Sequence, residues 1–400
     1  METRLCGRAA ERRALLDALE GALGDARAGL VTVVGPPGAG RSRLLADFVR
    51  GLSVQSDLYV AMAAQCSPLT RDQGYGLIAA LLRRWFRIHE GDSVAAARER
   101  LAFGLRWFEN AQAAGATGGL LGEAPDGDGG GDTDKGPLDV DDDGEGGELD
   151  DCLDRLAELV TGVVPRPPGD SVPRDDSALA ARARTAAAVA QLLSALAARA
   201  PLVLVCDDVH WADEASLELL DDLVGRLGDV PVLLACSARP ELFERRPQWG
   251  EGAPWTQRID LGPLPRRTIE EMVRDRLQRV ADLDPEVVRV LAERAEGNPL
   301  TLVECLHLLV EAGIVETSGA AWHVHADRLG ALELPATVQG LVQARLDRLD
   351  EGTRGVVGRA AVVGRSFWEG ALEALVDSWR REAEAERAPP PANTDPSWSS

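Results

Sequence analysis

The chain has 400 residues, 45% of them apolar and 4% aromatic, and a formal net charge of −22. That length holds two or three domains with aliphatic cores. So acidic a balance argues against a surface for nucleic acid or anionic membrane, which needs clustered Lys and Arg. The six cysteines, at 6, 66, 152, 206, 236 and 305, lack CxxC spacing, which suits reduced cytoplasmic thiols and not a disulfide framework. The first 13 residues are charged throughout, unlike a signal peptide. No apolar run reaches the ~20 residues of a membrane helix. A cytoplasmic protein without membrane contact is expected.

Leu15, Leu16, Leu19 and Leu23 lie at helical spacing and predict an amphipathic helix. "GLVTVVG" is a short β-branched run, read as a buried strand. "RSRLLADFVRGL" predicts a helix, "DLYVAMAAQC" a second strand, and "GLIAALLRRWFRIH" and "SVAAARERLAFGLRWF" two more helices. Between Glu123 and Asp154 there are 14 acidic residues and one Lys. Such a segment repels itself and buries nothing, so a disordered acidic insertion is expected over about 115–150. "LDDCLDRLAELVTGV" then reads as helical, and 165–176 as a Pro-rich linker. A long Ala/Leu helix follows, then the strand "PLVLVCDD". Asp213 is placed to N-cap the next helix, which carries Leu217, Leu220, Val224 and Leu227 on one face. "VPVLLACSARPE" and "TQRIDLGPL" complete five strands, with Cys206 and Cys236 expected on neighbours. Alternating strands and helices predict an α/β three-layer sandwich around a parallel five-stranded sheet. The expected organisation is a core over 1–264, a helical lid over 265–312, a winged-helix-like unit over 313–376 and a disordered tail over 377–400.

Residues 35–42, Gly-Pro-Pro-Gly-Ala-Gly-Arg-Ser, follow a predicted strand and open a predicted helix. They match the phosphate-loop pattern G-x4-G-K-[ST] except that Arg41 stands where Lys is usual. Glycines let backbone N–H groups converge on phosphates, and the helix N-terminus adds positive potential. Gly35, Pro36, Pro37, Gly38, Ala39, Gly40, Arg41, Ser42 and Arg43 are therefore candidate nucleotide-binding residues, with Ser42 a ligand to Mg²⁺. Arg41 keeps the charge but offers a planar fork in place of a compact ammonium, so binding is expected to survive and turnover to suffer. The same stretch alone is also compatible with an ordinary strand-to-helix turn. The second signal is Asp207–Asp208 at the end of an apolar strand. Asp207 is expected to hold Mg²⁺ through water, and Asp208 to orient or activate the attacking water, from a strand lying one over from the loop. Arg239 ends the following strand, where a cation would sense a γ-phosphate. Its plain alternative is a surface salt bridge with Glu241.

"GPPGAGRSRL", "LVLVCDDVHWADEASLELL", "LLACSARPE", "AEGNPLTLVE" and "LPATVQGLVQARLDRLD" occur in that order. Together they resemble the ATPase module of STAND-class signalling NTPases, the origin-recognition-like AAA domain of large bacterial LuxR-type regulators and kinase- or cyclase-linked ATPases. The resemblance covers roughly 4–375 outside the acidic insertion. It implies an ATP/ADP-dependent switch with Mg²⁺, closed with ADP and assembling with ATP or engaging a protein partner. It implies that Gly7 and Arg8 lie near the adenosine, that Arg239 is the γ-phosphate sensor, and that Gly297 and Pro299 belong to a lid motif packing on the base. Members usually continue into helical repeats and an output domain, so a shortened homologue or a fragment of a larger regulator is expected. Arg41 leaves a non-hydrolysing nucleotide scaffold as the second reading.

Weaker signals are His210 and Trp211, which read equally as site-shaping or as packing. His323 and His325 share a strand face, where a solvated hairpin is preferred to a metal pair. Asp139, Asp141, Asp143, Gly144 and Asp150 carry EF-hand-like spacing, which arises easily by chance in so acidic a run.

Overall fold

A computed structural model describes residues 5–53, 59–68, 71, 73–113, 145–162, 175–317, 322–329, 338–363 and 369–387. Five parallel strands form one sheet: β1 (Gly29–Val34), β2 (Val60–Gln65), β3 (Leu202–Asp207), β4 (Val232–Ala238) and β5 (Thr256–Asp260). Their spatial order is β2-β3-β4-β1-β5. Every side chain of β1 and β4 is buried, which explains why both read as continuous apolar runs without alternation.

Successive side chains of each strand feed opposite faces. Val31, Val33, Val203, Val205, Leu233 and Ala235 pack under α1 (Ala9–Gly24) and α2 (Arg41–Ser53), against Leu15, Leu19, Leu44 and Phe48. Leu30, Met62, Leu204 and Leu234 face the other layer. That layer holds α3 (Gly76–Phe86), α4 (Val94–Ala113), α5 (Glu145–Thr161), α6 (Asp175–Ala197) and α7 (Glu214–Leu227). The helix α5 starts inside the acidic stretch and packs with Leu153, Leu156 and Val160 buried. Residues 114–144 and 163–174, with most of the insertion and linker, lie outside the described residues. Cys206 and Cys236 face each other in register on β3 and β4, both fully buried.

After β4 comes the short α8 (Glu241–Arg245). Beyond β5, α9 (Arg266–Arg276), α10 (Pro285–Ala295) and α11 (Pro299–Glu311) close on a separate aliphatic core of Ile269, Val273, Leu291, Leu302 and Leu309. Gly297, at φ +77°, makes the turn between α10 and α11; a Cβ there would lie 2.7 Å from the Leu264 carbonyl oxygen. A short antiparallel pair follows, β6 (Val315–Glu316) and β7 (His323–Val324), then α12 (Ala326–Leu329) and α13 (Val338–Arg348). α13 ties back to α11 through Arg345 on Glu304 (2.7 Å) and Glu311 (2.8 Å). Next come α14 (Glu351–Val363) and α15 (Glu369–Arg387), the latter extending beyond Val376 into the span expected as tail. No described helix is long and apolar enough to cross a membrane.

Candidate functional site

The strand β1 delivers its chain into the turn 35–40, and α2 begins at Arg41. Gly38 and Gly40 take φ of +82° and +93°, a backbone that L side chains rarely adopt. The first N–H groups of α2 have no intrahelical partner and point into this turn. A Cβ on Gly40 would meet nothing within 4 Å, so that side is open, whereas one on Gly38 would lie 2.5 Å from Asn298 Oδ1. The loop is braced from three directions. Ala39 N donates to the Pro36 carbonyl (3.2 Å), and Gly35 N to the Ala238 carbonyl at the end of β4 (3.2 Å). Arg8, 8% exposed and at φ 63°, donates to the carbonyls of Ala39 (3.3 Å) and Gly262 (2.6 Å). From the start of α11, Asn298 Nδ2 donates to the Pro37 carbonyl (3.0 Å) and Leu300 N to that of Gly38 (3.4 Å).

The acidic pair sits at the C-terminal end of β3, at the level of the loop. Ser42 Oγ donates to Asp207 Oδ1 at 3.0 Å. The same carboxylate accepts from Ser237 Oγ of β4 and from Gln65 Nε2 of β2 (3.2 Å). Asp208, at φ 56°, begins a single 3-10 turn (Val209–Trp211) and donates its N–H to Ser237 Oγ (2.9 Å). Its carboxylate takes Arg41 Nη2 on Oδ1 (2.9 Å) and Gln65 Nε2 on Oδ2 (3.3 Å). Arg41 Nη1 also donates to the carbonyls of Gly35 and Pro36. The planar fork thus spans the loop and ends on Asp208, which a three-proton ammonium could not do in one plane.

The sheet order corrects one expectation. The acidic strand is not one over from the loop, because β4 lies between β1 and β3. The inserted strand brings Ser237 beneath Asp207 and places Arg239 at its own end, beside the loop. The Arg239 guanidinium lies over the Trp211 ring, 5.6 Å from its centroid, and among the described residues makes no ion pair with Glu241. His210 is 7% exposed. Burial, only partly offset by Asp208 and reinforced by Arg239 and Arg41, lowers its pKa to about 4, so the ring is neutral near pH 7.

A cavity of about 400 Å³ opens beside the loop, lined among others by Arg8, Gly40, Ser42, Arg43, Met272 and Pro299. Gly7, at φ +70°, packs against Thr268 of α9 next to it, since a Cβ there would lie 2.9 Å from Thr268 Cγ2. The volume suits a nucleoside-sized ligand. The residues also fit a metal-bound polyphosphate. A hydroxyl and a carboxylate oxygen, both hard donors suited to Mg²⁺, meet beside the open face of the glycine turn.

Sequence reasoning missed Gln65, Ser237 and Asn298. A polar residue at or next to the end of an apolar strand was the available signal for the first two; for the third it was Asn before Pro299, the N-cap of α11. Asp213 was read as a helix cap only. Its carboxylate does accept from Ser216 N (2.8 Å) and Ser216 Oγ (2.6 Å), but also from Tyr75 N (2.8 Å) and Gly76 N (3.0 Å) at the start of α3. His325 Nε2 lies 3.0 Å from Glu316 Oε1 across the β6–β7 pair. Asp150 is a partner of Arg98, and residues 139–144 of the calcium-like run lie outside the described residues. Among the described residues no cluster of three or more His, Cys, Asp or Glu could hold a metal.

A parallel sheet in this order, with a glycine turn opening α2 and an acidic strand end meeting Ser42, defines a P-loop NTPase. More closely, the chain belongs to the AAA ATPase domain family, whose match spans residues 4–235, more than half its length. An uncharacterised protein of Rhizobium meliloti (strain 1021) is 26% identical over 226 residues, or 55% of the chain. The chain spans 20% of that relative's length. Similar solved structures include Drosophila ORC bound to DNA (13% identity, TM-score 0.45, covering 98% of this chain and 77% of that one). The Aeropyrum pernix ORC1 protein in complex with DNA is another (12%, 0.43, 97% and 80%), as is Cdc6p from Pyrobaculum aerophilum (12%, 0.40, 96% and 88%).

Proposed function

We propose that the chain is an ATP/ADP-dependent switch of the STAND type with slow Mg²⁺-dependent ATP hydrolysis, acting through a protein partner or self-assembly. Residues 1–264 would be its ATPase core, 265–312 the lid and 313–376 the winged-helix-like unit. The observation that carries the reading is the 3.0 Å contact between Ser42 and Asp207 at the mouth of the glycine turn. Gly35 to Arg43 would cradle the phosphates, and Arg8 and Pro299 would flank the nucleoside. Ser42, directly, and Asp207, through water, would hold Mg²⁺. When bound, the ion would neutralise charge building between the β- and γ-phosphates. Asp208 would orient a water and take its proton as the water oxygen bonds the γ-phosphorus and the β,γ-bridging bond breaks. Arg239 would meet the charge on the γ-phosphate oxygens.

Calorimetry with ATP and ADP in the presence of Mg²⁺ tests the reading. Both should bind, and Ser42→Ala or Asp207→Asn should weaken the Mg²⁺-dependent part by about tenfold or more. No heat with either nucleotide refutes it. A second reading, a non-hydrolysing nucleotide scaffold, is favoured by the Arg41–Asp208 pair, which engages the would-be base. Single-turnover assays separate the two: Asp208→Asn abolishes phosphate release in a hydrolase and changes nothing in a scaffold.

A further inference from the structure

The scheme above leaves a buried titratable side chain beside Asp208 without a task. His210 sits on the 3-10 turn that follows Asp208, against the Trp211 ring at a centroid distance of 5.1 Å. Both ring nitrogens are buried, and neither has a hydrogen-bond partner among the described residues. Buried polar atoms are rarely left so, and an orphan beside reacting groups calls for an explanation. The charges facing the ring are the Asp208 carboxylate, the Arg41 and Arg239 guanidiniums and, more weakly, Glu241. Nδ1 lies 3.9 Å from Asp208 Oδ1, roughly 1 Å beyond hydrogen-bond reach. That oxygen is the one Arg41 Nη2 occupies at 2.9 Å.

We propose that His210 is a positioning residue for Asp208: its Nδ1–H takes over the carboxylate oxygen that Arg41 now holds whenever the Arg41 fork turns to a phosphate. This rests on the ATP-hydrolysing reading above. The hand-over follows from the geometry. One guanidinium fork cannot both pair with Asp208 and turn onto a phosphate in the loop. On leaving, it strips Oδ1 of its donor while Gln65 keeps Oδ2. A carboxylate in a left-handed backbone conformation would then be aimed by one amide alone. His210 needs only a small approach to restore the second donor, and its own unpaired N–H is satisfied in the same movement. The partner also changes from a cation to a neutral N–H. A carboxylate held by a neutral donor is a better proton acceptor than one paired with a guanidinium. Arg41 would thus keep the base quiet without phosphate, and His210 would keep it aimed with phosphate.

The test uses the full chain with His210→Phe, His210→Asn and His210→Gln, measuring ATP affinity by calorimetry and single-turnover phosphate release. His210→Phe is expected to slow release about tenfold or more while ATP affinity stays within about twofold of wild type. His210→Asn, whose side-chain N–H lies near the Nδ1 position, recovers most of the rate; His210→Gln, which reaches the Nε2 position, does not. The role is overturned if His210→Phe releases phosphate at the wild-type rate, or if its loss lies wholly in ATP affinity. Should His210→Phe fail to fold, the Asn and Gln variants decide: Gln matching or exceeding Asn overturns it. A wild-type chain that binds ATP but releases no phosphate refutes the hydrolysing reading and this role with it. A hydrolysing wild type with an indifferent His210 refutes only the role.

Discussion

Replacing Asp213 by Ala removes the clamp joining two helix starts beside the acidic strand end. The carboxylate is 5% exposed and accepts four hydrogen bonds, two from Ser216 on α7 and one each from Tyr75 N and Gly76 N at the start of α3. Loss of the α7 cap alone costs about 1 kcal/mol. The two donors at the start of α3 lose their acceptor in a half-buried setting, at about 1–2 kcal/mol each. The expected destabilisation is about 3–5 kcal/mol, which lowers the melting temperature by roughly 4–6 °C for a chain of this size. Asp213→Asn keeps one acceptor oxygen but turns an amide N–H₂ toward donors, so it should lose about 2 kcal/mol. Thermal melting by circular dichroism, with urea unfolding alongside, measures both variants. Nucleotide affinity well below the melting point should stay near wild type, because Asp213 makes none of the loop contacts. A loss under about 1 kcal/mol for Asp213→Ala, or an Asn variant as stable as wild type, would refute the clamp argument.

Arg41→Lys removes the fork from Asp208 and the loop carbonyls. It should raise the single-turnover hydrolysis rate by about tenfold while nucleotide affinity changes little; an unchanged rate counts against the planar fork as the cause of slow turnover. His210 titrates near 4 in the folded chain against 6.5 normally, so between those values the unfolded chain binds the extra proton. Its contribution is therefore complete above pH 6.5 and lost as pH falls toward 4, about 3 kcal/mol in all. Melting curves from pH 7 to 4 should fall more steeply for wild type than for His210→Phe, and parallel curves would contradict the burial argument. Gly38→Ala drives a Cβ to 2.5 Å from Asn298 Oδ1 and 2.6 Å from Leu300 Cβ, whereas Gly40→Ala meets open space. Both carry backbone strain of about 1–2 kcal/mol. Only Gly38→Ala should also separate lid from loop, read as a larger loss of stability and faster proteolysis between α10 and α11.

Much of the proposed nucleotide cradle was legible along the chain. β1, the glycine turn and the start of α2 are contiguous, and their signals are local: an apolar run, then backbone freedom, then an amphipathic helix. The five strands and the lid helices announced themselves the same way, through apolar periodicity and turn residues. The Asp207–Asp208 pair was visible because a strand ending in two acids is itself a short-range pattern. What joins these pieces was not visible. That β4 inserts between β1 and β3 is a matter of which buried faces pack together, and adjacent strands need not be successive in sequence. Ser237 reaches Asp207 only because of that insertion. Arg41 meets Asp208 across 167 positions, and Asn298 meets Pro37 across 261. Such contacts depend on sheet order and lid docking, which no local propensity encodes. The amino-acid sequence by itself determined the elements and the residue types able to grip a phosphate. Tertiary packing alone decided which carboxylate Ser42 faces, which one Arg41 holds, and that an unpaired imidazole stands beside them.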